Sequence, residues 1–258
     1  MSEKFPYKNP PIVERIIGAY HSISQDDFEK QLPSWVEKIR HDFPVEQHIA
    51  EWKIDIEDKN GVPFVKSLEP KARIIHLYWQ KNKNNRRVIG MRIRPDRLVF
   101  HLCREENDPH EFAELFPYME QWLPRWAEHF GFTEVNGITV EYYNVLDGNI
   151  TPQFASQDGV RVGEALTVFS NFPGEHQGIT NPYDCKIRLV IDKEKPSLFD
   201  LRVRADDRSA AAVRVDFEVI TFKKLSFSQA LAEIALGHEV ILKQFACFFT
   251  EQAKSSFR

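Results

Sequence analysis

The sequence predicts an α+β protein in which antiparallel sheets are each covered by a long amphipathic helix. Strand-like segments follow one another directly, each series closes on a helix with an apolar stripe, and this order occurs twice. Runs of strands followed by helices are typical of α+β folds with antiparallel pairing. We expect two similar sheet-plus-helix halves, residues 1–146 and 147–258, or one integrated domain built from the same parts.

The first half opens on a strand and a helix. Residues 12–21 are largely apolar on both faces, which predicts a central strand. Ser24 is followed by Asp27 three residues later, a capping pattern, and apolar residues at helical spacing come next. A helix is therefore expected from this point, with Pro33 bending or delaying it.

More strands and a second helix complete the first half. Strands are predicted at residues 52–57, 74–80, 87–94, 98–103 and 138–146. Asp108-Pro109-His110-Glu111 has the features of a helix start: a cap, Pro at the first position and an acid in the first turn. Gly131 is expected to end that helix.

The second half repeats the order. Residues 147–163 are rich in turn-forming residues and predict a long loop, and strands are expected at residues 166–172, 186–192, 198–205 and 212–222. The final helix begins near Ser226, and its apolar stripe consists of Phe227, Leu231, Ile234, His238, Ile241, Phe245 and Phe248.

Charge is distributed unevenly along the 258 residues. The chain has a net charge of −4, yet residues 71–104 hold ten basic residues and one acid, and residues 105–175 hold thirteen acids and two basic residues. Opposite charge blocks bear on partners and solubility more than on fold. They favour a binding or interaction protein that acts through charge-polarised surfaces, with a protein partner or self-association.

Motifs of known chemistry are not found in the sequence. It contains no Gly-rich phosphate loop, no nucleophile elbow and no metal-binding spacing of His or Cys. We therefore expect no cofactor, no metal and no catalytic residue, and a binding protein rather than an enzyme. Three distant cysteines, no apolar leader and no membrane-length apolar run predict a cytoplasmic protein without a membrane partner.

Four residues are candidates for contacting a small ligand. His238 interrupts the apolar stripe of the last helix, and Glu14 places a charge in an apolar strand. Tyr142 and Asn144 give a strand a polar-aromatic face, and Asn is disfavoured within strands. Structural roles, such as core hydrogen bonds or ion pairs, explain the same residues. The alternative is a cavity under the C-terminal helix that holds a small or lipid-like molecule.

Residues 71–104 suggest a second alternative. Arg87, Arg92, Arg94 and Arg97 fall on neighbouring predicted strands, close to two aromatic residues, Tyr78 and Trp79. Basic and aromatic groups on a sheet can bind single-stranded nucleic acid through phosphate contacts and stacking. Cross-strand pairing with the abundant acids is the simpler interpretation, and the sequence pI of about 6.2 agrees with it.

Several short motifs resemble a sporadically distributed prokaryotic family of uncharacterised proteins of about this length. The motifs are Pro11-Ile12-Val13-Glu14, Trp122-Leu123-Pro124, Glu141-Tyr142-Tyr143-Asn144, His238 with Ile241 and Phe245 in the last helix, and Phe249-Thr250-Glu251. Members of that family usually carry Arg at the position of Glu141. The resemblance implies a cytosolic prokaryotic protein that is a full-length domain, and it implies no activity or catalytic residue.

Overall fold

The computed structural model describes residues 10–59, 62–81, 87–104, 112–149, 151–156, 159–169, 178–179, 184–192, 197–206 and 209–257. The strands are β1 (Ile12–Tyr20), β2 (Val45–Lys59), β3 (Val62–Lys81), β4 (Arg87–Ile93), β5 (Arg97–Cys103), β6 (Val135–Leu146), β7 (Ala155–Ser156), β8 (Gly159–Arg161), β9 (Gly178–Ile179), β10 (Asp184–Asp192), β11 (Ser197–Asp206) and β12 (Ser209–Leu225). The helices are α1 (Gln25–Ile39), α2 (Phe116–Phe130), α3 (Val162–Ala165), α4 (Phe227–Phe248) and α5 (Glu251–Ser256).

Nine strands form one antiparallel sheet in the order β10-β11-β12-β6-β1-β5-β4-β3-β2, and β7, β8 and β9 form a small second sheet. The predicted α+β class with an antiparallel sheet and covering helices is confirmed. The pairing order repeats on both sides of the centre: β1 continues into β5, β4 and β3, and β6 continues into β12, β11 and β10. In this order the counterpart of β1 is β6, and both sets of strands share one sheet.

The helices α1, α2 and α4 cover one side of the sheet. Aromatic side chains fill the contacts among the helices and between the helices and the sheet. The rings of Trp35 on α1 and Trp126 on α2 lie 5.0 Å apart, and those of Phe217 on β12 and Phe245 on α4 lie 6.0 Å apart. Large aromatic side chains dominate core energetics because each buries a large apolar area. This side of the sheet holds the core.

Local signals place the ends of the helices. The Ser24 hydroxyl accepts a hydrogen bond from the Asp27 backbone N–H, and α1 then runs through Pro33 without a delay. Gly131 takes a left-handed conformation after α2, with φ 75°, which glycine adopts without strain. The predicted start of the second helix at Asp108 lies outside the described residues, where the chain resumes at Phe112 in a 3-10 turn.

The last helix confirms its predicted stripe. A capping box between Ser226 and Gln229 begins α4, and Ile234, Ile241 and Phe245 are buried. At Gly237 the helix lies so close to the sheet that an added Cβ would be 2.9 Å from Cγ2 of Val140. Glycine fits this position because the Val140 side chain of β6 occupies the space that a Cβ would need.

One predicted strand is wrong where the structure describes it. Residues 166–172 were expected to be extended, but α3 precedes them and a 3-10 turn occupies Thr167–Phe169. Residues 170–172 lie outside the described residues. Leu166 is fully buried, and its backbone forms a bridge with Phe249 just after α4. Strand propensity depends on context, and this contact with the end of α4 outweighs it.

Among the helices of the described ranges, none combines the length and the apolar character that crossing a lipid bilayer requires.

Candidate binding site on the polar face

The side of the sheet opposite α1, α2 and α4 is called the polar face here. Alternate residues of each strand point to it, and cross-strand register aligns them. Its charged and hydroxyl-bearing members are Glu14, Tyr20, Arg92, Arg97, His101, Thr139, Glu141, Tyr143, Lys186, Arg188, Asp200, Arg202, Arg204, Arg214, Asp216 and Glu218.

Three acids lie in a line across this face. Asp200 on β11 is opposite Glu218 on β12, and Glu218 is opposite Glu141 on β6. Like charges directly opposite each other on neighbouring strands destabilise a sheet. Because this arrangement costs stability, the three acids are a candidate functional site.

Asp200 is the compensated member of the line. Arg188 binds both of its carboxylate oxygens, at 2.7 and 2.8 Å, and the Lys186 ammonium lies at 2.8 Å. These bonds hold the pKa of Asp200 below its usual value. In the next row Asp216 accepts from Arg214 at 2.6 Å.

Glu141 and Glu218 are not compensated in this way. Neither carboxylate forms an ion pair in the described parts of the chain, although the charge of Arg97 acts on both of them. Their hydrogen-bond partners are hydroxyl groups. The Thr139 hydroxyl lies 3.3 Å from both, and the Tyr143 hydroxyl donates to Glu141 at 2.7 Å. One hydroxyl carries one hydrogen, so Thr139 serves a single carboxylate at a time.

Glu218 holds a proton more readily than an ordinary glutamate does. Burial raises the pKa of Glu218 to about 7, and the neighbouring Glu141 adds to the rise. A proton on one member relieves the repulsion, and so does any other cation held between them. Two carboxylates in this state are a receptor for positive charge.

A pocket of about 140 Å³ lies over the pair. Its lining residues are Glu141, Tyr143, Lys186, Asp200, Arg202, Arg204, Asp216 and Glu218. A cation–π contact supports Tyr143 in the lining of the pocket, because the Arg214 guanidinium stacks on its ring, 3.6 Å from the centroid. The pocket is thus small, polar and of mixed charge.

Glu14, predicted as a ligand contact, lies elsewhere on the polar face. Its carboxylate accepts a hydrogen bond from Nδ1 of the fully buried His101. Burial acts to raise the pKa of Glu14, but His101 and Arg92 outweigh it, so that the pKa is lowered. In this structure Glu14 is a member of a buried charge cluster.

The other three predicted ligand residues lie on the helix side. The Tyr142 hydroxyl is 2.6 Å from Nδ1 of His238, whose ring stacks on Phe112 at 4.1 Å. The Arg15 guanidinium lies over the Tyr142 ring, 5.7 Å from its centroid. Burial, aided by Arg15, lowers the pKa of His238 to about 4, so the ring is neutral at pH 7.

Asn144 is buried close to this pair. Its side-chain amide donates to the backbone oxygen of Val215 at 2.8 Å, a bond across two strands. The structure thus brings Tyr142 and His238 together, keeps Asn144 on the same side and places Glu14 on the opposite one. The contact at Gly237 leaves no room for a ligand between α4 and Val140.

The four predicted surface arginines differ in their surroundings. Arg97 donates to the Tyr20 hydroxyl at 2.7 Å, Arg94 pairs with Asp96 at 3.5 Å, and Arg92 lies beside the Glu14 cluster. The side chain of Arg87 is outside the described residues. The aromatic residues that were expected to stack with bases are enclosed, since Tyr78 is 2% exposed and Trp79 is 8% exposed.

Within the described ranges, no three His, Cys, Asp or Glu side chains come close enough together to hold a metal ion. The carboxylate pair has two acids and a phenol, which suit an ammonium or guanidinium donor better.

Sequence reasoning missed Glu218 and gave Glu141 no role. The alternation of residues 213–219 shows that Glu218 leaves the core, but its opposition to Glu141 depends on the register of β12 against β6. The signal for this pair in the sequence was the occurrence of polar residues at alternate positions of both strands.

Comparison with known protein families and with curated proteins found no match. The resemblance to the prokaryotic family stays a prediction.

Proposed function

We propose that this chain is a protein-binding protein that receives one cationic side chain of its partner in the pocket on the polar face. The observation that carries the proposal is the Glu141–Glu218 pair: the two carboxylates are directly opposite each other, both line the pocket, and among the described residues their hydrogen-bond partners are hydroxyl groups. The proposal extends the expectation of a binding protein with charged surfaces.

The size of the pocket argues for a side chain over a larger ligand. Typical small-molecule pockets measure about 300 to 1,000 Å³, and a cavity of about 150 Å³ holds a molecule the size of benzene. A volume of about 140 Å³ therefore matches the end of one long side chain.

The chemistry of the base of the pocket favours arginine. A guanidinium offers five N–H donors in a plane and binds carboxylates through paired hydrogen bonds. Inserted between Glu141 and Glu218, it would replace the proton of Glu218 and remove the like-charge repulsion at once. A cation that bound only one of the two carboxylates would leave their mutual repulsion in place.

The rim of the pocket restricts the partner further. Lys186, Arg202 and Arg204 line the pocket together with the acids. A uniformly basic segment would meet these cations unfavourably, whereas acidic residues beside the arginine would meet them well. The partner is therefore a segment with an arginine flanked by acids.

Calorimetric titration with capped peptides tests the proposal. The probe is a pentapeptide with a central arginine flanked by aspartates, and the control peptide has glutamine at the centre. We expect the arginine peptide to bind at least about tenfold more tightly, because only it pairs with the carboxylates. The double variant Glu141→Gln/Glu218→Gln should remove the difference.

The matched protein control is Glu134→Gln, which changes an exposed carboxylate that is not part of the pocket lining. It should bind both peptides as the wild type does. Equal affinity of the wild type for the two peptides would overturn the proposal.

A further inference from the structure

The edge of the sheet formed by β10 carries an inference that is independent of the pocket. We infer that the protein forms a two-fold dimer in which β10 pairs antiparallel with β10 of a second copy, centred on Leu189. The dimer joins two sheets into one across the molecules.

β10 has an available edge. In the described part of the chain it pairs with β11 on one side and with no strand on the other. An edge strand presents unpaired backbone N–H and C=O groups, which another strand can bind. The segment from Lys186 to Asp192 contains neither Pro nor Gly, so nothing in it prevents backbone pairing.

Exposed apolar side chains concentrate at this edge. Val190 is 61% exposed and Leu189 is 39% exposed, and the other large apolar residues found exposed in the described ranges, Phe222 and Leu236, lie on different elements. Apolar neighbours on an edge strand are the opposite of what a protected edge shows. Pairing with a second copy would cover both.

The charges that could protect the edge are directed away from it. Lysine and other charged side chains on an edge strand usually prevent association. Here Lys186 and Arg188 are both bound to Asp200 on β11, at 2.8 Å and at 2.7 to 2.8 Å. Their cationic ends therefore lie over the neighbouring strand and leave the edge accessible.

The residue pattern selects the register. With Leu189 on the two-fold axis, Arg188 is opposite Val190 of the other copy, and Lys186 is opposite Asp192, the last residue of the strand. A register centred on Arg188 would set that charge against itself, which is unfavourable. Each copy contributes the same residues, as an isologous two-fold interface requires.

Such a dimer has a consequence for the polar face. Directly paired residues of antiparallel strands point to the same side of a sheet, so the two polar faces would form one continuous surface. The pockets would lie on that surface about four strand spacings, roughly 20 Å, apart.

Light scattering during gel filtration tests the interface. At about 100 µM we expect the wild type to have twice the mass of one chain. Leu189→Lys places two ammonium groups at the axis and should give a monomer with an unchanged circular dichroism spectrum. The matched control is Leu236→Lys, since Leu236 is 47% exposed on α4, and this variant should stay dimeric.

Cysteine cross-linking tests the register and does not depend on that variant. Cys103, Cys185 and Cys247 form no disulfide and are first replaced by serine. Leu189→Cys in this background should oxidise to a symmetric disulfide, because the opposed Cα atoms of paired strands lie about 4.5 to 5.5 Å apart. Leu236→Cys should not cross-link.

A monomeric wild type, or equal cross-linking at positions 189 and 236, would overturn the inference. Arginine-peptide binding by Leu189→Lys separates the two proposals, since Leu189 is not part of the pocket lining. A monomeric variant that binds the peptide supports both of them. A dimeric wild type that binds neither peptide supports the dimer alone.

Discussion

Glu141 and Glu218 occupy directly opposite positions on β6 and β12, and the hydroxyl of Thr139 lies 3.3 Å from each carboxylate. The neighbouring acids Asp200 and Asp216 both have basic partners. Glu141 and Glu218 differ from these two acids, because their hydrogen-bond partners among the described residues are hydroxyl groups. This contrast is the reason for placing the binding function here.

Replacing Glu218 by glutamine should change how stability depends on pH. The folded-state pKa of about 7 lies above the value of 4.5 expected without the fold, so the native state holds this proton more tightly. The wild type therefore loses stability as pH rises from about 4.5 through 7, by up to about 3 kcal/mol. Glu218→Gln should remove that loss and be more stable than the wild type at pH 8.

Urea denaturation at pH 5 and pH 8 measures this difference. The variant's advantage should be large at pH 8 and small at pH 5, and Glu134→Gln should show neither. An advantage of the same size at both pH values would contradict a raised pKa of Glu218.

The affinity for the arginine peptide should rise with pH. The cation must replace the proton of Glu218, which is mostly bound at pH 6 and mostly released at pH 8. We expect about tenfold tighter binding at pH 8 than at pH 6 in the wild type. Glu218→Gln carries no proton to replace, so any remaining affinity should be independent of pH, and a pH effect that survives in this variant would argue for another group.

Acid should destabilise the fold through His238. Burial lowers its pKa to about 4, below the value of 6.5 in an unfolded chain, so the unfolded state takes up a proton first. Stability is present above pH 6.5 and is lost as pH falls towards 4, by up to about 3 kcal/mol. His238→Gln keeps an acceptor for Tyr142 but cannot titrate, and it should reduce the loss.

Thermal unfolding between pH 4 and pH 7 checks this prediction. His21 also has a pKa lowered to about 4 by burial, so part of the loss should remain in His238→Gln. His41→Gln, at an exposed position after α1, serves as the control and should behave as the wild type. An unchanged acid profile in His238→Gln would show that the imidazole is not held neutral.

Local sequence patterns predicted most of the elements. The Ser226 cap and the three-and-four spacing from Phe227 to Phe245 are contained within one helix, and the alternation of Val213 to Val219 is contained within one strand. Signals of this kind need no knowledge of distant residues. The strand expected at residues 166–172 was wrong over residues 166–169, where Leu166 contacts Phe249 after the last long helix.

The candidate site could not be predicted in the same way. Glu141 and Glu218 become neighbours through strand register, which a single sequence does not reveal. His238 was selected correctly as unusual, yet its partner Tyr142 makes it a member of the core, and Glu14 points to the other side of the sheet. The polar face also brings side chains of both signs together, since β11 presents Asp200, Arg202 and Arg204 and β12 presents Arg214, Asp216 and Glu218.

Gly237→Ala should destabilise the fold even though alanine is the better helix former. The gain in helix propensity is about 1 kcal/mol, whereas an added Cβ at 2.9 Å from Val140 Cγ2 overpacks the contact, at a cost of about 1 to 3 kcal/mol. Val140→Ala removes the opposing methyl groups, so in that background Gly237→Ala should become neutral or stabilising. Urea midpoints of the two single variants and the double variant give the coupling energy, which should be at least about 1 kcal/mol in favour of the double variant. Additive effects would mean that α4 can move away from β6, and that a cavity between them is open to a ligand after all.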